Sequence, residues 1–513
     1  ILNNIHNRQY SVRYWRILVG TWLYYYIHAL YDRYVSIRQA LKAYPECTTI
    51  GLAEECFVVP QDSQSYYDLI AEDPYNLQLY TKVLHILGKE TTDKTLDVIP
   101  QQQSSDKEKK TLSHLLRRLA VISSNTFYRT LRKQDAIFLA STYFPYIEEL
   151  KIFLKTSGKI WPQRVKNMRV SLQQHPVDKS LRTRLQAGII AEKDGFERVL
   201  QNMFPFDMPQ SFLEGYEMLE RRAHECYPES PKVIMDAVKW YFDDMFKCWA
   251  ARAAERGSVL AGIQHGGNYG CVAYTVDEEH ELAITDYYYS WGWKRSDRFS
   301  QVIPLSATKL MGRKRVGAHN LKKGILFTTT GTPRYLNRIQ SFPDYAFCEY
   351  LEWQWRFVAA LSPDLRPDLR VRLYFADYGW NFVERWKDHH PDVLIENWTK
   401  SFWDSVTTCR LYVCDHLSTT YAEALSADIP SVLFWDPQVF SLRPAAMPYF
   451  EGLRAAGILH DCPESAAEAV KSVYNDVENW WKEPKRQKAV ADFCEQYVKA
   501  SRHAIDEWIN EFD

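Results

Sequence analysis

Two spacings of apolar residues take turns along this chain. Between residues 11 and 43, Trp15, Leu18, Trp22, Tyr25, Leu30 and Tyr34 recur at helical spacing, which predicts one or two amphipathic helices. Residues 47–57 read as strand, and 61–73 and 76–87 as helix. The polar stretch 88–110 contains Gln101-Gln102-Gln103-Ser104-Ser105 and then a run of charges, so it reads as a flexible loop. Beyond it the patterns alternate: helix at 111–130, strand at 136–140, helices at 144–156, 179–190 and 196–204, strand at 232–236 and helix at 240–256. Strands separated by helices predict a mostly parallel sheet. The most membrane-like run, 17–31, contains His28 and is closed by Asp32-Arg33. A span needs about 20 residues, so this run reads as a buried helix.

The stretch 257–293 concentrates candidate chemistry. An apolar strand at 258–263 leads into the polar loop Gln264-His265-Gly266-Gly267, and Leu282-Ala283-Ile284-Thr285 reads as a second strand ending in Asp286. The glycines are expected to take positive φ and let the backbone approach a ligand, with His265 titrating near neutrality beside them. The same residues also fit a tight turn with a core histidine. Asp286 stands before three tyrosines, where a carboxylate is either paired or functional; the plainer alternative is a turn cap near Arg295. Glu214, between Ser211-Phe212-Leu213 and Gly215-Tyr216, is a second acid in an aromatic setting.

A second α/β unit starts at Lys322. The strand at 324–327 runs into the hydroxyl-rich loop Thr328-Thr329-Thr330-Gly331-Thr332-Pro333-Arg334. A helix at 347–361 follows, then strands at 371–376, 394–396 and 411–414. The last leads into Asp415-His416-Leu417-Ser418-Thr419-Thr420-Tyr421-Ala422-Glu423-Ala424-Leu425, where small hydroxylated residues turn into a helix. Free N–H groups, the positive end of a helix dipole and three hydroxyls suit a phosphate without a metal, and Glu423, about one turn in, can accept from a ribose hydroxyl. Serine and threonine are also ordinary N-caps. A strand at 429–434 and helices at 465–474 and 486–512 complete the pattern.

At 513 residues, two domains are expected: 1–321, 322–480 and a closing helical segment, 481–513, that could return to the first domain. A net charge of −1, with 63 Lys+Arg against 64 Asp+Glu, argues against a nucleic-acid binder. An acidic ligand would need a local cluster such as Lys294, Arg295, Arg298, Lys309, Arg313, Lys314 and Arg315. The ten cysteines show no paired or metal-binding spacing, which fits a reducing cytoplasm and no metal site. The chain opens Ile-Leu-Asn-Asn without a signal-like run, as a piece of a longer polypeptide would.

Taken together, the residues carry a resemblance. The Asp415–Leu425 motif followed by Ile429-Pro430-Ser431-Val432 resembles the nucleotide-binding half of GT-B glycosyltransferases. Arg13-Tyr14-Trp15-Arg16-Ile17-Leu18-Val19-Gly20, the 264–270 loop, 284–293 and 328–335 together resemble a bacterial surface-polysaccharide transferase family related to the retaining β-Kdo transferase modules of O-antigen biosynthesis. The resemblance implies an α/β, GT-B-like fold: two Rossmann-like domains facing a central cleft, with extra N-terminal helices. It implies a cytoplasmic, metal-independent enzyme without cofactor that moves Kdo or a related sugar from a CMP-activated donor to a glycan acceptor, lipid-linked and so bringing the enzyme to the inner face of the membrane. Carried over by motif, Asp286 would be the nucleophile of a retaining double displacement, Glu214 the acid/base, and His265 a ligand of the donor or developing charge. Gln264, Gly266, Gly267, His319, Thr330 and Arg334 would line the substrate, and Ser418, Thr419, Thr420 and Glu423 would hold the nucleotide. Two other classes fit the same residues: an alditol-phosphate transferase using a CDP donor, with His265 as base and Asp286 dispensable, and a non-catalytic glycan-binding module.

Overall fold

The computed structural model describes residues 1–96, 136–162, 176–189, 195–313, 315–317 and 324–512. The helix expected at 111–130, together with Lys314 and His319, lies outside the described residues, as does most of the loop expected at 88–110. The chain divides into two compact units. The first comprises Ile1–Thr142, Ser157–Ala261 and Tyr335–Arg338; the second comprises Tyr143–Thr156, Gly262–Arg334 and Ile339–Asp513.

In the first unit the aromatic pattern of the amino-terminal region becomes one 32-residue helix, Val12–Ala43, about 48 Å long at 1.5 Å per residue. Ser11 starts it by accepting from Tyr14 N–H. Its apolar stripe buries Tyr14, Ile17, Leu18, Trp22, Tyr26 and Leu30, so the run that looked membrane-like is core. The polar tips of this stripe find partners: Tyr14 Oη meets Tyr216 Oη at 2.7 Å, and Tyr26 Oη donates to Asp207 at 2.8 Å. The further helices Ser63–Leu69 and Asp73–Ile86 and the parallel pair β1 (Ile50–Leu52) and β2 (Thr92–Lys94) belong to the same unit. Among the described residues no helix is long and apolar enough to cross a membrane.

Two six-stranded sheets carry the rest. The first contains β3 (Ile137–Leu139), β4 (Ile160–Pro162), β5 (Val233–Asp236), β6 (Val259–Ile263), β7 (Tyr287–Ser290) and β8 (Gln301–Pro304), in the order β4-β3-β5-β6-β7-β8. The division into units falls inside β6. Its start bonds Lys232 O within the first unit through Val259 N–H, and just past its end Gln264 N–H bonds Tyr289 O within the second.

The second sheet lies wholly in the second unit. It contains β9 (Ile325–Thr328), β10 (Leu369–Arg372), β11 (Leu394–Ile395), β12 (Leu411–Cys414), β13 (Ser431–Phe434) and β14 (Leu459–His460). The order is β11-β10-β9-β12-β13-β14, and every neighbouring pair is parallel. This is a doubly wound order, whose switch point lies between β9 and β12; ligands of such sheets bind outside the carboxyl ends there. Buried on both faces, the strands read as unbroken apolar runs, with Phe327, Val413 and Leu433 fully buried. The α/β class, the two Rossmann-like sheets and the additional N-terminal helices expected from the sequence are all present.

One expectation about organisation differs from what is found. The boundary expected after residue 321 is replaced by one after Ala261, because Tyr269, Tyr288, Trp291 and Trp293 share one buried cluster with Phe327 and Val413. The closing residues 481–513 group with the second unit through Phe493 and Tyr497, and they also pack on residues of the expected first domain, where Trp508 Nε1 donates to Ser306 O at 2.9 Å and its ring meets Phe144 and Tyr289.

Candidate functional site

The loop after β6 and the loop after β12 meet at the carboxyl ends of their strands, within the second unit. Gly267 N–H donates to Thr419 Oγ1 at 3.3 Å, and Tyr421 Oη donates to Gly267 O at 3.0 Å. A Cβ at Gly267 would lie 2.5 Å from Ser418 O and 3.0 Å from Ala422 Cβ, so only glycine permits this approach. Neither Gly266 nor Gly267 has positive φ, contrary to the expectation from the sequence. The close approach is to the start of the Thr420–Ser426 helix.

Gln264 shapes this loop and is spent doing so. Its side chain is fully buried, donates to Gly266 O at 2.8 Å, and accepts from Trp291 N–H and Trp293 Nε1 at 2.7 Å each. It therefore positions its neighbours from a place without solvent access. His265 lies beside Tyr143, ring centroids 6.3 Å apart and nearly parallel at 13°. Tyr143 itself has φ 60, a backbone state that non-glycine residues keep only where the surroundings enforce it. Lys309 Nζ stands 5.7 Å over the Tyr143 ring and 3.0 Å from Glu423 Oε1, and Arg313 holds the other oxygen of Glu423 at 2.7 Å. The expected ribose acceptor is thus clamped by two cations. The 264–267 loop, the hydroxyls of Ser418, Thr419 and Thr420, and Glu423 come together as one site.

Beneath the hydroxyls runs a buried polar chain. Thr330 N–H donates to Tyr350 Oη at 2.8 Å, Tyr350 Oη donates to Asp415 Oδ1 at 2.7 Å, and His416 Nδ1 lies 2.9 Å from the same oxygen. On its far side His416 Nε2 lies 3.2 Å from Thr420 Oγ1. The chain ties together the loops after β9 and β12, the two strands that flank the switch point of the sheet. Burial works against the charged form of His416, but Cys414 and Asp415 outweigh it and hold the ring at about 10. Asp415 is pushed up by burial against the pull of His416 and Tyr350, and for Cys414 the neighbouring imidazole outweighs burial and lowers the thiol. With both ring nitrogens protonated, His416 donates to Asp415 and to Thr420 Oγ1, which leaves the Thr420 hydroxyl proton to point elsewhere. His416 is a site residue that the sequence patterns did not single out; a histidine directly after a strand-end aspartate, with a threonine four residues on, was the available signal.

Other expected site residues are placed elsewhere. Residues 282–284 do not form a strand: they end the helix Val276–Ile284, which Thr275 caps by accepting from Glu278 N–H. Asp286 therefore precedes β7 instead of ending a strand. Because Gln264 N–H bonds Tyr289 O, the 264–267 loop is level with the far end of β7. Three residues at about 3.3 Å each put Asp286 about 10 Å away along the strand. Glu214 lies in the first unit and is locked by Arg182, whose Nε and Nη2 each donate to it at 2.8 Å, with Asp178 N–H adding a third bond at 3.0 Å. Its side chain is 5% exposed, and Arg182 also bonds Pro205 O and Met208 O, so the pair holds the fold together. Thr330 is buried and acts through its backbone, while Arg334 is exposed. Much of the expected basic cluster is already paired: Arg295 with Glu278, Glu279 and Asp297, Arg298 with Glu279 and Asp297, and Arg315 with Asp428. Among the described residues no group of side chains could hold a metal ion.

Comparison with known proteins adds the following. No curated protein matches the chain. Among solved structures it is similar to Acinetobacter baumannii MurG, at 9% identity and TM-score 0.31, over 74% of this chain and 99% of that one. It is similar to the spinosyn rhamnosyltransferase SpnG, at 12% identity and TM-score 0.36, over 74% of this chain and 100% of that one. It is also similar to WaaG, a glycosyltransferase involved in lipopolysaccharide biosynthesis, at 9% identity and TM-score 0.30, over 74% and 99%. Superpositions this loose say nothing of substrate. The family described as LIC12162 family transferase matches residues 1–512, so the chain belongs to the LIC12162 family of transferases.

Proposed function

We propose that this transferase is a glycosyltransferase of bacterial surface-polysaccharide synthesis, taking a sugar from a nucleotide-activated donor, CMP-Kdo or a close relative, to a glycan acceptor. The observation that supports this reading is the Gly267–Thr419 contact, which joins the loop carrying His265 to the start of the Thr420–Ser426 helix, where three hydroxylated residues follow one another. In this reading the hydroxyls of Ser418, Thr419 and Thr420 hold the donor phosphate, and Glu423, once released from Lys309 and Arg313, accepts from the ribose. His265 faces the reacting centre, where it assists departure of CMP or takes the proton of the acceptor hydroxyl. Asp286, at the other end of β7, is not given the nucleophile's role.

A second reading has one observation in its favour. The loop joined to Thr419 carries a histidine, His265, and with that ring as base the same groups would transfer an alditol phosphate from a CDP-activated donor. The test is CMP release from CMP-Kdo and from CDP-glycerol, each with and without a glycan acceptor, in the wild type and in His265→Asn, Thr419→Val and Asp286→Asn. Release from CMP-Kdo that His265→Asn and Thr419→Val abolish and Asp286→Asn keeps supports the first reading. Release from CDP-glycerol alone supports the second. Binding of neither nucleotide overturns both.

A further inference from the structure

A groove of about 1330 Å³ opens beside the candidate site, with Arg313, Trp403 and Glu423 at one border. All of its lining residues belong to the second unit. Small-ligand pockets usually occupy roughly 300–1,000 Å³, so this groove exceeds what a single nucleotide sugar fills. Its walls are polar and charged, and most of the charges pair: Lys151 with Glu148, Lys155 with Asp506, Arg315 with Asp428 and Lys488 with Asp492.

The charge is arranged unevenly. Lys309 and Arg313 have side chains 27% and 28% exposed, yet both are spent on Glu423, whose own side chain is 6% exposed. Two accessible cations sharing one buried carboxylate leave surplus positive charge facing outward at that border. The guanidinium carbon of Arg313 also stands 4.4 Å over the ring of Trp403, a contact that steadies a group able to bind a planar or tetrahedral oxyanion. An indole with an arginine beside it, followed by a long polar trough, suits a polyhydroxylated chain that carries acidic groups.

We propose that this groove is the acceptor site and that the acceptor is an anionic glycan, one of whose carboxylate or phosphate groups is read by Lys309 and Arg313. The proposal deepens the glycosyltransferase reading and rests on it for the word acceptor. The anionic group of the glycan takes over cationic contacts that Glu423 holds in the free protein, which couples acceptor entry to release of Glu423.

The test measures binding of three probes by calorimetry: tetragalacturonate, singly phosphorylated mannotetraose and neutral maltotetraose. Binding of one or both acidic probes at least tenfold tighter than maltotetraose is expected, and which one binds tells carboxylate from phosphate recognition. Lys488→Glu with Arg502→Glu should remove that preference while the affinity for CMP stays as in the wild type, and Arg313→Gln should weaken the acidic probes tenfold or more. Equal binding of all three probes, or of none, overturns the proposal. So does a Lys488→Glu, Arg502→Glu variant that loses CMP and keeps the glycans, since the groove would then serve the donor. Tight binding of an acidic probe by a protein that releases no CMP from any donor would keep the groove and discard the glycosyltransferase reading.

Discussion

Gly267 and Thr419, 152 positions apart in the chain, share a hydrogen bond of 3.3 Å between a backbone N–H and a threonine hydroxyl. Nothing larger than a hydrogen fits at Gly267, where an added Cβ would press on Ser418 O at 2.5 Å. Gly267→Ala is expected to destabilise the fold by about 1–3 kcal/mol, as overpacking does, and to weaken CMP binding by at least tenfold. At Gly266 the nearest atom to an added Cβ is the side-chain Asn268 Oδ1, which can swing away, so Gly266→Ala should cost less. Urea denaturation and CMP titration of both variants check the ranking.

The position of Asp286 ahead of β7 makes a sharp contrast with His265. Asp286→Asn is expected to keep CMP release within about threefold of the wild type. His265→Asn should lower it by about 10²–10⁴, the range of a lost general acid or base. Initial rates of CMP release, with circular dichroism to show that both variants fold, decide the matter; an inactive, folded Asp286→Asn would return the nucleophile's role to that residue.

Glu214 answers to Arg182. Removing one member of a buried pair leaves an uncompensated charge, so Glu214→Ala should cost about 3–5 kcal/mol in unfolding free energy. A Glu214→Gln protein that folds, even weakly, is expected to turn over donor at a rate near the wild type. A folded Glu214→Gln without activity would show that the carboxylate does chemistry.

His416 gives the stability a pH dependence with a defined sign. Its folded value, about 10, lies above the 6.5 of an ordinary histidine, because Cys414 and Asp415 outweigh burial. The contribution of His416 is therefore present below about pH 6.5 and is lost as the pH rises toward 10, while the lowered Cys414 thiol contributes in the opposite sense, its share being lost as the pH falls, so the net slope stays below about 1.4 kcal/mol per pH unit. His416→Asn should flatten this fall relative to the wild type. Unfolding curves at half-unit steps from pH 6 to 10 measure the difference, and parallel profiles would show the ring to be neutral.

Much of the second sheet was legible in the sequence because its strands are short apolar runs, each followed by polar residues. Phe327, Val413 and Leu433 sit where such runs place them. The Asp415–Leu425 motif was legible for a local reason: small hydroxylated residues turn into a helix, and they do so here. Asp286 was misplaced because Leu282-Ala283-Ile284-Thr285 has strand-like composition; the overlooked signal was Thr275 three residues before Glu278, the start of a capped helix. Arg182 and Glu214 lie 32 positions apart, and no local pattern links them, so Glu214 looked like a catalytic acid in an aromatic setting. Gln264 was drawn toward the substrate by its loop, while its three bonds to Gly266, Trp291 and Trp293 depend on how β7 packs.

Neither compact unit is a continuous piece of polypeptide. The chain passes from one to the other after Thr142, Thr156, Ala261, Arg334 and Arg338. A single cut, wherever it is made, leaves each fragment with parts of one unit that belong with the other fragment. Separating the two units by truncation is therefore expected to yield insoluble pieces. Swapping specificity between relatives would have to carry Tyr143–Thr156 along with everything from Gly262 onward, and leave Tyr335–Arg338 behind.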